Sequence, residues 1–323
     1  MSWSRRNVLL CAAAGLIANV TWAKPMDWPK PNAQQASIND RLAIDTPIGL
    51  GSLTLFPVVD RYADPDAESM AGLREAMVRG LVKIDEQPQG GEVGTLLVSN
   101  VSSEPVMAIT GDVVYGGNQD RMIARDVVIP PRTGPIPISV HCVEQQRWQL
   151  NGEFQYGGRA EWALSQLVAL GGSQQETWTR VDRLNAEKAQ WAGKPSADPS
   201  ATYMHAMRAM PSNHGTAVAL MRELSARKNV VGLVVAQGGR IVASEIYPSP
   251  AQFIRLRSEA VSASALAAMK PQLERVSAPD SATAAAFVRR SLAGRQGEVH
   301  ATRTMDDDGN IHRMALYSAG SMR

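Results

Sequence analysis

The sequence predicts an α+β protein: a β-rich N-terminal half with one early helix, a helical and Trp-rich middle, and an α/β-textured C-terminal third. Three observations predict it. Short runs of Val, Ile and Leu punctuated by Gly, Pro, Asn and Asp recur from residue 48 to residue 150. A helix-opening sequence stands before a long amphipathic stretch in the middle. In the last third, segments of helical and of strand length follow one another.

In chain order, the expected strands of the first half are 53–59, 81–85, 93–101, 106–110, 122–129 and 136–143. The early helix is expected at 67–79, where Met70, Leu73, Ala76 and Met77 fall on one face. A short helix is expected at 159–170 with Trp162. Ser173-Gln174-Gln175-Glu176 then has the spacing of a capping box, and it opens a helix to Trp191 with Trp178, Val181 and Leu184 on its buried side. Residues 193–200, with Pro195 and Pro199, read as a linker or surface loop. The last third gives a helix at 216–227, strands at 230–236 and 240–247 around Gly238-Gly239, helices at 250–270 and 281–292, and strands at 298–304 and 312–318. Asp306-Asp307-Asp308-Gly309-Asn310 joins the last two strands as a hairpin turn, since it lacks the ligand run and closing glutamate of a calcium loop. No tandem repeat is visible.

Residues 1–23 have the form of an export signal: Arg5 and Arg6 form the basic region, residues 8–22 the apolar run, and Thr21-Trp22-Ala23 the cleavage edge. Ser4-Arg5-Arg6-Asn7-Val8-Leu9 is similar to the twin-arginine signal, so the expected location is the periplasm, reached in folded form. The apolar run is short for a membrane span, which needs roughly 20 residues, so no stable membrane insertion of the mature chain is expected. Residues 24–40 read as a leader, and 41–320 as the main domain with a candidate division near 193–200.

Removal of Arg5 and Arg6 brings the formal net charge of +2 to zero. A neutral chain without a basic stripe interleaved with aromatics argues against a nucleic-acid partner. Of the two cysteines, Cys11 lies in the signal and Cys142 remains, which excludes an internal disulfide in the mature chain.

The chemistry concentrates in two segments. Gly111-Asp112-Val113-Val114-Tyr115-Gly116-Gly117-Asn118-Gln119-Asp120-Arg121 and Val140-His141-Cys142-Val143-Glu144, with Arg147-Trp148 after it, set polar side chains into apolar strand sequence. Such density is costly unless the groups share a hydrogen-bonded site or network. Gly116 and Gly117 permit a close approach or left-handed angles, and a plain β-turn explains them as well. In a strand, Cys142 and Glu144 share a face and His141 points away, so a nucleophilic Cys142 would need a base from elsewhere; a buried, inert thiol is the competing reading. Glu144 and Arg147 form either a structural ion pair or a ligand clamp, with Trp148 as a stacking face. One cysteine without a spaced partner falls short of a zinc site, so neither metal nor other cofactor is expected.

These two blocks, with Gly232-Leu233-Val234-Val235, Gly238-Gly239, Glu245-Ile246-Tyr247 and Phe253, resemble a largely uncharacterised family, the ADP-ribosylglycohydrolase and rhodanese-phosphatase superfamily associated protein domain. Asp112 stands where the resemblance implies glutamate. Nucleotide- or ADP-ribose-like ligands are the class that the resemblance implies. The leading expectation is a small-ligand-binding domain that takes a small polar ligand through Gly116, Gly117, Gln119, Arg121, Arg147 and Trp148. The alternatives are a hydrolase using Cys142 or the carboxylates Asp112 and Glu144, and an envelope protein-interaction module. Oligomeric state stays open.

Overall fold

A computed structural model describes residues 38–64, 67–88, 90–145, 148–149, 151–191, 203, 214–268, 277–292, 299–305 and 311–318. The export segment 1–23, nearly all of the leader 24–40, the loop 193–200, the acidic turn 306–310 and Arg147 lie outside these residues. The first half contains α1 (Ile38–Arg41), β1 (Leu42–Ile44), β2 (Ile48–Leu50), β3 (Leu53–Asp60), β4 (Ala71–Gly72), α2 (Leu73–Val78), β5 (Val82–Asp85) and β6 (Thr95–Asn100). It continues with β7 (Val106–Ala108), β8 (Asp112–Tyr115), β9 (Arg121–Ile123), β10 (Val127–Ile129) and β11 (Thr133–Cys142). Next come β12 (Gln155–Arg159), α3 (Trp162–Ala169), α4 (Gln174–Trp191) and α5 (His214–Ser225). The last third is β13 (Val230–Gln237), β14 (Arg240–Ile246), α6 (Pro250–Ala268), α7 (Ser281–Leu292), β15 (Val299–Met305) and β16 (Ile311–Ser318).

The α+β arrangement is the one the sequence predicts, with local differences that have physical causes. The early helix is shorter than 67–79, because Ala71–Gly72 is drawn into strand β4. Gly72 lies so close to α6 that an added Cβ would stand 2.5 Å from Leu256. The expected strand 122–129 divides into β9 and β10, which join different sheets. The helix expected from residue 159 begins at Trp162, and Arg159 ends the unexpected strand β12. The capping box is present: Glu176 N–H donates to Ser173 Oγ (3.2 Å) and Ser173 N–H to Glu176 Oε2 (2.7 Å).

Three sheets organise the described residues. The largest has the order β1-β3-β13-β14-β16-β15 with β2 also on β3; the second runs β12-β8-β9-β11-β6-β5; a small one, β10-β7-β4, lies between their cores. Strands β1, β2 and β3 thus join a sheet otherwise built by the last third. Period-2 alternation sends Leu233, Val235, Ala243 and Tyr247 to one face and Phe56, Val234 and Ile246 to the other. The first face packs on α6, and the second on Ala284, Phe287 and Val288 of α7.

Helix α6 is buried on many sides, which suits its Ala- and Ser-rich sequence. Ser249 caps it, accepting from Gln252 N–H at 3.1 Å, and Pro250 occupies the first helical position. Gln252 exchanges two hydrogen bonds with the Met70 backbone (2.7 and 3.1 Å), and the Trp162 indole donates to Ser264 Oγ (3.0 Å). The second sheet is buried on both faces at β8 and β9, while β5, β6 and the start of β11 leave one face partly open. Val114, Ile123 and Val140 meet α2, while Val113 and Met122 meet Leu164 and Val168 of α3 and Val181 and Leu184 of α4.

The turn from β8 to β9 is tied down by its glycines. Gly117 has φ +51°, and a Cβ there would stand 2.2 Å from the Phe154 ring. Gly117→Ala is expected to cost about 1–3 kcal/mol in a urea titration, from backbone strain and overpacking. Gly49→Ala, where a Cβ meets nothing within 4 Å, serves as the near-neutral comparison.

Candidate functional site

Antiparallel pairing sets the centre of the site. Arg121 of β9 lies opposite Val114 of β8 and opposite Cys142 of β11, so the guanidinium and the thiol share one face. Both residues are 0% exposed. Arg121 Nη1 approaches Cys142 Sγ at 3.9 Å, Nη2 lies 4.0 Å from Glu86 Oε1, and its Cζ stands 5.5 Å from the centre of the Trp148 indole. Trp148 is 46% exposed, so a cation–π contact joins a buried charge to a ring that reaches solvent.

The β8–β9 turn is laced to the segment after β11. Gln119 Nε2 donates to the Glu144 carbonyl (3.0 Å), and Asp120 N–H donates to Glu144 Oε2 (3.1 Å). Gly116 N–H donates to Asp120 Oδ1 (3.2 Å) and Gly117 N–H to the Gly152 carbonyl (3.1 Å). Both glycine amides are therefore committed within the chain. Asn118 N–H donates to Glu86 Oε1 at 2.7 Å. Among the described residues, buried Glu86 Oε2 and the Trp178 indole N–H make no hydrogen bond.

The thiol of Cys142 is within reach of the Glu144 carbonyl and of Gln119 Oε1 (3.1 Å). Burial pushes its pKa up, and the Glu144 backbone, Arg121 and Trp178 offset this only in part. His141 points to the opposite face, where its Nδ1 meets Thr177 Oγ1 at 2.7 Å, and burial lowers its pKa. It cannot serve the thiol as a base. Gln174, at the start of α4, clasps the Cys142 peptide from both sides, accepting from its N–H (2.9 Å) and donating to its carbonyl (2.7 Å). His205 and the side chain of His214 lie outside the described residues.

Gln119, Arg121, Cys142, Glu144 and Trp148 thus meet in one cluster, whereas Asp112 belongs to another. Its partners are the Ile109 N–H (2.9 Å), the Tyr156 hydroxyl (3.0 Å) and Arg159 Nε (3.2 Å). Arg159 continues to Glu245 Oε2 (3.3 Å), which also accepts from the Tyr247 hydroxyl (3.0 Å) and from Arg313 Nη2 (3.2 Å). Arg313 reaches Asp126 Oδ2 (2.7 Å), and Asp126 further accepts from Thr304 (2.6 Å) and Thr110 (2.7 Å). Two guanidiniums face three carboxylates in this network, an excess of one negative charge. Burial raises the pKa of Asp112, with Arg159 working the other way. Burial also acts to raise Asp126, but Arg313 and the threonine bonds outweigh it and hold that carboxyl below its ordinary value. Glu259 of α6, pushed up by burial, interacts electrostatically with Asp112 and Arg159.

Sequence reasoning missed Glu86, Gln174 and Trp178 in the first cluster, and Arg159, Glu245, Arg313 and Asp126 in the second. A signal existed for Glu245 and Arg313: each occupies an inward position of an otherwise apolar strand, where a charge needs a buried partner. Among the described residues, no group of three or more His, Cys, Asp or Glu side chains is placed to hold a metal ion. No described helix is long and apolar enough to cross a membrane.

A three-sheet α+β domain with a buried inter-sheet ion network and a second polar cluster around an interior arginine is the class of protein these features define. The chain belongs to the ARG and Rhodanese-Phosphatase-superfamily-associated Protein domain family, whose model matches residues 41–318. That span includes both polar clusters and all three sheets. No curated protein and no solved structure matches the chain.

Two carboxylates of the inter-sheet network make opposite demands on pH. Asp126, lower in the fold than its unfolded value of about 3.9, contributes stability that is complete above about pH 4 and is lost as pH falls through the folded value. Asp112, raised in the fold, becomes unfavourable as pH climbs from the unfolded value to the folded one. Asp126→Asn is expected to cost about 3 kcal/mol at pH 7 and to flatten the acid limb of stability measured by denaturant titration. Asp112→Asn should instead remove a penalty that develops above pH 4. For the thiol, a Cys11→Ser chain treated with a disulfide reagent should label at Cys142 at least about 100-fold more slowly when folded than in denaturant.

Proposed function

We propose that this is an exported, small-ligand-binding protein whose site is the cluster of Glu86, Gln119, Arg121, Glu144, Trp148 and Trp178. The observation that carries the reading is a set of buried polar atoms left without partners beside a buried cation. Glu86 Oε2 makes no hydrogen bond among the described residues and belongs to the carboxylate that faces Arg121, while the Trp178 indole N–H has the Cys142 thiol, a weak acceptor, as its neighbour. An unpaired buried donor or acceptor costs about 1–3 kcal/mol, so a ligand that supplied both an acceptor and a donor would be favoured there. Trp148, half in solvent, would form the mouth and offer a stacking face.

A planar, polar compound with an anionic group suits this combination, and nucleotide- or ADP-ribose-like molecules are the class to try first. The glycines Gly116 and Gly117 shape the turn that presents Gln119; Arg147, a ligand-binding residue by its sequence context, lies outside the described residues. A hydrolytic role for Cys142 finds less support, because His141 faces away and the thiol is held protonated by burial. An Asp112/Glu144 acid–base pair finds little either, since the hydrogen bonds of Asp112 go to Ile109, Tyr156 and Arg159. Periplasmic export through the twin-arginine route rests on residues 1–23 and is tested by cell fractionation of the full chain and of an Arg5→Lys/Arg6→Lys variant.

A thermal-shift screen with nucleotides, ADP-ribose, sugars and organic acids is expected to give a saturable rise in Tm for at least one anionic compound. Trp148→Ala should leave the ligand-free Tm nearly unchanged and weaken that compound about tenfold, a stacking loss of roughly 1–2 kcal/mol. Equal shifts in wild type and Trp148→Ala, or no saturable shift in the whole screen, would sink the reading.

A further inference from the structure

The outer face of the large sheet carries a cleft remote from both polar networks. It has a volume of about 370 Å³ and lies between β1, the end of β3 and helix α7. Leu42, Ile44, Val58, Ala285 and Val288 form its apolar floor and walls, and Arg61 and Arg289 stand in the same lining. The floor is the margin of the core in which Phe56, Val58 and Ile246 pack on Phe287 and Val288. Helix α7 spans 12 residues, and beyond its covered strip the β1 side of the sheet stays half-buried.

The charges in the lining are unequal. Among the described lining residues Asp40 is the one acid, against two guanidiniums. The Arg61 guanidinium donates to the Asp40 carbonyl (3.2 Å), and Arg289 makes no hydrogen bond or ion pair among the described residues. Arg41 and Asp60, the neighbouring charges, neutralise each other in a bidentate pair at 2.7–2.9 Å. The cleft therefore presents apolar walls together with a net positive charge. Its volume lies at the lower end of the range for small-molecule sites, about 300–1,000 Å³.

We infer that this cleft is a second binding site, for an amphipathic anion: a compact aliphatic tail against Leu42, Ile44, Val58 and Val288, and a carboxylate head held by Arg61 and Arg289. Arginine suits this head because its planar fork meets both carboxylate oxygens. Tail burial supplies the affinity at roughly 25 cal/mol per Å², and the exposed arginines add selectivity for the anion. The site is independent of the Arg121 cluster.

Octanoate, with octanol as the uncharged comparison, tests the inference by calorimetric titration of the full chain. Saturable octanoate binding is expected, several-fold tighter than octanol. The double variant Arg61→Ala/Arg289→Ala, altered only at exposed side chains, should bind octanoate about three- to tenfold more weakly. Ala282→Trp, which fills the mouth from an exposed position, should abolish binding, whereas Trp148→Ala should bind octanoate as wild type does. Octanoate and octanol binding equally, no saturable binding, or affinity unchanged in both the double arginine variant and Ala282→Trp would overturn it. Loss of octanoate binding in Trp148→Ala would overturn the independence of the two sites.

Discussion

Arg159 and Arg313 carry two full positive charges into the space between the larger sheets, and most of the architecture is arranged to keep them paired. Arg159 comes from the second sheet, Arg313 and Glu245 from the large one, and Asp126 from the connection that leads into the small one. Glu245, itself 0% exposed, accepts from both arginines. Breaking one such buried partner leaves an uncompensated charge, typically at a cost of about 3–5 kcal/mol, so the relative placement of the sheets is fixed by charge as well as by apolar contact. Arg159 is also the cross-strand partner of Asp112, which sets the register of β12 on β8. The β8–β9 hairpin then delivers Gln119 and Arg121 to the polar cluster at its far end. One network holds the frame and the other lies exposed at its edge through Trp148.

This division explains why one stretch of sequence serves two purposes. Asp112 and Arg121 are nine positions apart in a hairpin, yet the first points its carboxylate into the inter-sheet network and the second lies beside Cys142. Paired interior atoms rigidify a fold, while an unmatched one has capacity left for something else; the inter-sheet network keeps one such atom too, Glu245 Oε1. The contrast between the several partners of Asp126 and the idle second oxygen of Glu86 is that difference in miniature.

Much of this was legible beforehand, and the reasons are local. The capping box at Ser173, the start of α6 at residue 250, and the opposite facing of His141 and Cys142 follow from short-range geometry, which sequence spacing records directly. Strand β12 was not legible because Gln155-Tyr156-Gly157-Gly158-Arg159 has two glycines and no apolar run; tertiary pairing with β8 makes it a strand. The division of 122–129 into β9 and β10 hinges on Asp126 turning inward to Arg313, a partner 187 residues away. Glu86 and Trp178 were invisible for the same reason: each reaches the cluster from a distant segment whose sequence gives no sign of it.

Strand β3 has a consequence that reaches beyond the folded state. It pairs with β1 and β2 on one edge and with β13 on the other, and β13 begins at Val230, long after Asp60 ends β3. During synthesis the ribosome releases an apolar ribbon whose permanent neighbour has not yet been translated. Until then its unmatched amides invite any passing strand. A product stopped before residue 230 would keep that edge of β3 bare, open to pairing with other chains.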